Sequence, residues 1–298
     1  MKPNQLHAFV AVATELSIRG AARVLGVSAP AVTKIVRELE REIGAPLVER
    51  SVKGVELTEY GVALLPRARL LLDDMRRARD EITQLRDGRT GQLRIAVSAS
   101  FAQTIFVPAY KLLRAQRPGV SVHVSEFGLA GMLSRLHDAQ VDFAIMHVDP
   151  QALSEEFVSI PLGSVQLVLG ASSRHPLRNR RRIRDFIDAE WALPGADSDP
   201  LSATTKLFAS IGLPVPTRVI QGDSITAALA LVAQMNMVGF FVEPLAVDVF
   251  KRLGIRAVEL DDPLPVLQMC VIHRRGSRLT PAALQFIECV KQVLATRE

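Results

Sequence analysis

The segment Ser17-Ile18-Arg19-Gly20-Ala21-Ala22-Arg23-Val24-Leu25-Gly26-Val27-Ser28-Ala29-Pro30-Ala31-Val32-Thr33-Lys34 reads as two short helices meeting at a turn. Ser17 is a good cap for the first, which runs to Leu25, and Gly26 supplies the left-handed residue that ends it. Ser28 caps the second, and Pro30 suits its first turn. Val32, Val36, Leu39 and Ile43 recur at i, i+4, i+7 and i+11 and form its buried stripe. Ala29, Thr33 and Arg37 form a second ridge, with Lys34 beside it. A helix presented in this way fits the DNA major groove, where hydrogen-bonding side chains read base edges and cations hold phosphates. Ser28, Ala29, Pro30, Thr33, Lys34 and Arg37 are the expected contacts.

On the N-terminal side, Leu6, Phe9, Val10, Ala13 and Leu16 recur at helical spacing, so residues 3–16 make an amphipathic helix. On the C-terminal side, residues 47–58 read as two short strands around a turn, with Gly54 supplying the permissive backbone. Arg50 and Lys53 sit at its tip and are expected to touch phosphate or the minor groove. Residues 1–58 are thus predicted to form a winged helix-turn-helix.

Thr58 can cap a long helix over residues 59–90, of roughly 45 Å at ~1.5 Å per residue. Leu65, Ala68, Leu72, Met75, Ala78 or Arg79, Ile82 and Leu85 keep an apolar stripe in step, while the outer face is heavily charged. An isolated helix with one apolar seam needs a partner, and a second copy of the chain is the expected one; packing on the C-terminal domain is the alternative. Pro66 is expected to kink or locally break this helix.

The chain has 298 residues and a net charge of +5. Residues 1–90 hold 15 Lys and Arg against 12 Asp and Glu, so the cationic excess is only slightly concentrated at the front. Bulk charge permits a polyanionic partner without identifying one. No apolar run approaches the ~18 residues of a membrane span, and the N-terminus carries no signal-peptide core, so a cytoplasmic protein with no membrane partner is expected. Cys270 and Cys289 are the two cysteines, and both read as buried reduced thiols, with a redox pair as the alternative.

From residue 91 onward, strands at 93–97, 120–126 and 142–146 alternate with helices, the pattern of an α/β sheet. A second lobe is expected over residues 162–265, with 91–161 and 266–298 forming the first. Ligands of such sheets bind at the carboxyl ends of strands. Ser98 and Ser100 occupy that position after the first strand, in a polar turn. His147 follows the third strand and is a candidate to face the cleft, although a lone histidine is more often structural. The arginines at 178, 180, 181, 182 and 184 read as a solvated surface turn.

Head, wing and rod in this order resemble the LysR-type transcriptional regulators. The motif is Ala21-Ala22, Leu25, Ser28, Pro30-Ala31-Val32-Thr33-Lys34, Leu39-Glu40, Gly44, Leu47, Arg50, then Leu57-Thr58 and Gly61. The resemblance covers the whole chain. It implies a DNA-binding dimer, usually within a homotetramer, that works with RNA polymerase. It also implies a C-terminal domain similar to periplasmic solute-binding proteins, with a small-molecule effector between two lobes. Effector contacts are then expected at the turn after the second strand (Phe127, Gly128, Leu129) and on second-lobe loops (Asp197, Ser198, Ser202, Ser224). Hydroxyls and backbone N–H groups there suit a small organic anion. The family often has glutamine where this chain has Ala29, and polar residues where it has Ile35 and Ala130. Readout at 29 and 35 is accordingly expected to be apolar.

No metal-ligand cluster, phosphate loop, nucleophile elbow or paired-carboxylate motif is present in the sequence, so neither catalysis nor a cofactor is expected. An effector-responsive transcription factor is the leading reading. A solute binder or enzyme with a DNA-binding appendage, and a constitutive architectural DNA binder, are its competitors.

Overall fold

The computed structural model describes residues 1–51, 54–87, 90–193, 203–222 and 224–297. They fall into two compact units, Met1–Gly88 with Ser134–Val141, and Arg89–Leu133 with Asp142–Glu298.

The first unit opens with helices α1 (Pro3–Glu15), α2 (Ile18–Leu25) and α3 (Ala29–Ile43). Ser17 Oγ accepts from the Gly20 N–H at 3.2 Å and Ser28 Oγ from the Ala31 N–H at 3.4 Å, while Gly26 and Gly44 close α2 and α3 in the left-handed conformation. Strands β1 (Val48–Ser51) and β2 (Gly54–Leu57) pair antiparallel, with Arg50 opposite Val55. Two neighbouring clusters fill the interior. One joins Ala8, Val12, Ala21, Ala22, Val32, Val36 and Val55, and the other joins Leu6, Phe9, Leu39, Leu47 and Ala68.

Several motif residues prove to be fasteners. Glu40 Oε1 accepts from the N–H groups of Leu47 and Val48 at 2.8 and 3.2 Å, tying α3 to the wing. Thr58 Oγ1 accepts from the Gly61 N–H at 3.1 Å and donates to the Pro46 carbonyl at 2.6 Å. Gly61 is required because a Cβ there would stand 2.1 Å from the Leu47 carbonyl oxygen. Two apolar expectations fail. Ile43 ends α3 and Leu16 ends α1, the latter in a left-handed conformation, and both side chains are exposed because each lies beyond the last turn that faces the core.

Helix α4 (Glu59–Asp87) runs through Pro66 without a break. Its expected single stripe divides. Leu64, Leu65, Ala68 and Leu72 pack against the head, whereas Leu71, Met75, Ala78 and Ile82 are exposed. The charged residues of α4 are engaged too. Asp73 is buried, with Arg77 Nε at 2.6 Å and Arg76 Nη2 at 2.9 Å, and Arg69 donates to Asp138 at 2.8 Å.

The second unit runs β3 (Thr90–Val97), α5 (Ala99–Thr104), α6 (Phe106–Gln116), β4 (Gly119–Glu126), α7 (Leu129–His137, whose last residues belong to the first unit) and β5 (Phe143–His147). It continues with the long β6 (Phe157–Ser172), β7 (Trp191–Leu193), α8 (Ala203–Ser210), β8 (Val219–Gln221), α9 (Ile225–Met235), β9 (Val238–Val242), β10 (Ile255–Val258), β11 (Val266–Arg274) and a C-terminal helix, Pro281–Ala295. The strands join in the order β4-β3-β5-β11-β6-β9-β7-β8, with β10 on β6. Strands β4 and β5 flank β3 in parallel, and β11 returns antiparallel to β5. The expected lobe division at 161/162 falls inside β6. Its first part pairs with β11 as far as Gln166, and its second part pairs with β9 and β10.

One core lies beneath β3, β5 and the C-terminal helix, including Phe101, Phe143 and Phe286. A smaller one surrounds Trp191, whose ring centroid lies 5.4 Å from Phe208 and 5.2 Å from Phe240 and whose Nε1 donates to the Phe186 carbonyl at 2.9 Å. Cys270 and Cys289 are free and buried, and burial pushes both thiols up from the ordinary value. No helix among the described residues is long and apolar enough to cross a membrane.

Candidate functional site

Helices α2 and α3 meet around a concave surface of about 720 Å³ lined by Ile18, Arg19, Ala29, Pro30, Thr33, Lys34, Arg37 and Arg41. Five of the six recognition-helix residues expected from the sequence meet here. The sixth, Ser28, is turned to capping, its Oγ held by the Ala31 N–H. Thr33 is half committed, because its hydroxyl donates to the Ala29 carbonyl at 3.0 Å and keeps only acceptor capacity for a base or a water. Ile35 packs against the head's core, as Ile18 and Ala29 also do, and it is not among the described residues that line this surface.

Two cations were missed. Arg41 continues the four-residue ridge 29, 33, 37, so its signal was present in the spacing. Arg19 comes from the first turn of α2, and only the crossing of two helices brings it to the same surface. Arg19, Lys34, Arg37 and Arg41 give the surface four positive charges with no carboxylate among its described lining residues, and none of the four forms an ion pair with a described residue. Four unneutralised cations on one concave face are the electrostatic footprint of a phosphate backbone. On the wing, Lys53 lies outside the described residues, as does the side chain of Arg50.

In the second unit, Ser98 is not in a free turn. It caps α5, accepting from the Phe101 N–H at 3.4 Å, and Ala99 and Ser100 are already helical. Ser98 Oγ lies 3.2 Å from Ser100 Oγ, which lies 3.4 Å from His147 Nδ1. The sequence-predicted trio is therefore one hydrogen-bonded chain at the carboxyl ends of β3 and β5. His147 is the last residue of β5, and its Nε2 is fully buried with no partner among the described residues. Burial pushes its pKa down to about 4, so the imidazole is neutral at neutral pH.

Ala99, between Ser98 and Ser100 in sequence, lines a pocket of about 390 Å³ together with Glu126, Phe127, Gly128, Gly131 and Ser224. Of the expected effector contacts, Phe127, Gly128 and Ser224 line it, whereas Ser98, Ser100, Leu129 and His147 are not among its described lining residues. Ser198 and Ser202, with Asp197, lie outside the described residues. Glu126 is the residue the sequence reading missed. It ends β4 opposite Val97 in the parallel register, which puts its carboxylate at the mouth of the sheet. No group of three His, Cys, Asp or Glu among the described residues is placed to hold a metal ion.

Comparison with known proteins matches residues 3–62 to the bacterial regulatory helix-turn-helix protein, lysR family, and residues 86–295 to the LysR substrate binding domain. The chain is 30% identical over 261 residues to the HTH-type transcriptional regulator GbpR of Azospirillum brasilense, covering 85% of this chain and 75% of that protein. It is 28% identical to the RuBisCO operon transcriptional regulator of Allochromatium vinosum, covering 96% and 94%. Among solved structures it resembles CbnR, a LysR family transcriptional regulator, with a TM-score of 0.70 at 21% identity over 98% of this chain and 99% of that one. A full-length OxyR from Pseudomonas aeruginosa gives a TM-score of 0.71 at 18% identity over 99% and 94%. These structures match the fold as a whole, head to C-terminus. With both of its parts matched in family and in order, the chain belongs to the LysR family of DNA-binding transcriptional regulators, built from a winged helix-turn-helix head and a two-lobed α/β effector-binding domain.

Proposed function

We propose that the chain binds promoter DNA in the cytoplasm through the groove between α2 and α3, and that a small molecule in the pocket beside β4 changes that binding. The observation that carries the reading is the array of Arg19, Lys34, Arg37 and Arg41 around the recognition ridge, with no acid among the described lining residues. Lys34 and Arg37 reach base edges or the flanking phosphates. Arg19 and Arg41 hold phosphates on either side, and Arg50 and Lys53 on the wing touch the neighbouring backbone. Residues 1–58 serve as the head, 59–90 as the linker and 91–298 as the effector domain.

The exposed residues Leu71, Met75, Ala78 and Ile82 follow a four-three-four spacing, the seam of a two-stranded coiled coil. A second copy covers that seam, so the working unit is a dimer, and two dimers assemble on DNA and engage RNA polymerase. The effector is a small molecule bearing a carboxylate, which the Ser224 hydroxyl meets in the pocket that Gly128 and Gly131 also line. It acts through its different affinities for two arrangements of the lobes. Footprinting of the full chain on duplexes selected from genomic DNA tests the reading. A protected site whose extent or affinity shifts with a small-molecule fraction of cell extract is expected. Salt-sensitive protection without sequence preference contradicts it.

A further inference from the structure

The pocket beside β4 has a charge that a plain anion does not suit. Among the described lining residues Glu126 alone is charged, and its carboxylate is exposed and makes no hydrogen bond or ion pair with a described residue. An anionic group about 4 Å away is repelled by an amount worth from roughly fivefold in affinity at water's dielectric constant to several hundredfold at the value suited to a surface cleft. A cationic group at the same distance gains as much. The other walls are set for a small polar molecule with a short apolar stem. Phe127 is half-buried and offers carbon surface, and the backbone of α7 lies so close to it that a Cβ on Gly131 would stand 3.3 Å from Phe127 Cβ. On the facing side, Ser224 Oγ accepts from the Ala227 N–H at 3.2 Å, which orients the oxygen and leaves its hydrogen to donate.

We propose that the effector of this cleft carries a protonated amino group seated on Glu126 and a carboxylate turned to Ser224, which makes it a small amino acid and not a simple organic acid. This rests on the cleft being the effector site, and it deepens that reading by naming the ligand's charge pattern. Glu126 holds the ammonium by charge-assisted hydrogen bonds, Phe127 covers the stem, and the Ser224 hydroxyl donates to a carboxylate oxygen. A dicarboxylate or benzoate-like acid lacks the group that Glu126 requires and meets its repulsion instead.

Calorimetric titration of the full chain with the twenty proteinogenic amino acids tests this. Each is paired with the carboxylate left when the ammonium is replaced by hydrogen, such as propionate for alanine and glutarate for glutamate. At least one amino acid binds, and its deaminated partner binds tenfold or more weaker. Glu126→Gln weakens the amino acid by roughly 10- to 100-fold, the worth of a hydrogen bond to a charged group, and erases most of the discrimination. Equal or tighter binding by the deaminated partner, discrimination that survives Glu126→Gln, or binding by none of the amino acids overturns the proposal. Phe127→Ala separates the two levels. If it abolishes binding of whichever compound is active while Glu126→Gln does not, the cleft stands and the ammonium falls. If both variants bind as the parent does, the cleft reading falls as well.

Discussion

Lys34 projects from the first turns of α3 into a surface that three arginines share, and it has no protein partner there. Lys34→Ala is therefore expected to weaken operator binding by ~1–3 kcal/mol, as loss of a good base or phosphate contact does. Thr33→Val is expected to cost less, because its hydroxyl already donates to Ala29. Arg19→Ala and Arg41→Ala should each flatten the dependence of log affinity on log salt by about 0.9, with sequence preference unchanged. Gel-shift titration across salt concentrations measures all four. A second residue-scale expectation concerns His147. Its folded pKa of about 4 lies below the ordinary value of 6.5, so between those values the unfolded chain binds a proton that the folded chain does not. Stability is then fully present above pH 6.5 and falls as the pH drops through 4, by about 3 kcal/mol. Urea unfolding followed by the fluorescence of Trp191, which lies in the same unit, should show this slope, and His147→Gln should remove most of it. Gly61→Ala tests the joint of head and linker. The new Cβ meets the Leu47 carbonyl, and a loss of about 1–3 kcal/mol from the head's unfolding free energy is expected by circular dichroism in urea.

At the scale of elements, α4 is decided by which neighbours cover it. Leu64, Leu65, Ala68 and Leu72 anchor its first turns on the head, and Leu71, Met75 and Ile82 wait uncovered farther along. Burying a side chain of that size is worth ~1.5–3 kcal/mol, so Ile82→Asp should raise the dimer dissociation constant at least tenfold in sedimentation equilibrium. A dissociation constant unchanged by Ile82→Asp would place the dimer contact elsewhere. Periodicity made the helix itself legible, along with the caps at Ser17, Ser28 and Thr58 and the glycine end at Gly26, because these depend only on near neighbours in the chain. The split of the stripe was not legible. A residue's period says that it is on a face, while tertiary packing decides what that face meets. The same limit applies to Ile35, which packs on the head's core and is absent from the described lining of the groove, and to Ser98, whose hydroxyl caps α5. Arg19 and Glu126 belong to sites formed by crossing elements, and no local pattern marks them.

At the scale of the whole molecule, the order of head, wing, rod and alternating strands was readable because each unit keeps its own period and punctuation. The path of β6 through both parts of the sheet was not, since a strand of 16 residues and a strand ending at a lobe boundary carry the same local signal. The molecule combines a cationic surface in one unit with a polar, glycine-walled pocket in the other, and the chain belongs to the LysR family of transcriptional regulators. The central claim is sequence-selective DNA reading by the α2–α3 groove. Its most direct test is selection of the full chain on a library of randomised duplexes at physiological salt, alongside the Lys34→Ala, Arg37→Ala double variant. A single enriched motif is predicted, bound 10³-fold or more tighter than random duplex, as specific binders commonly are, and lost in the double variant. Uniform affinity across the library, or the same motif at the same affinity in the double variant, would contradict the account.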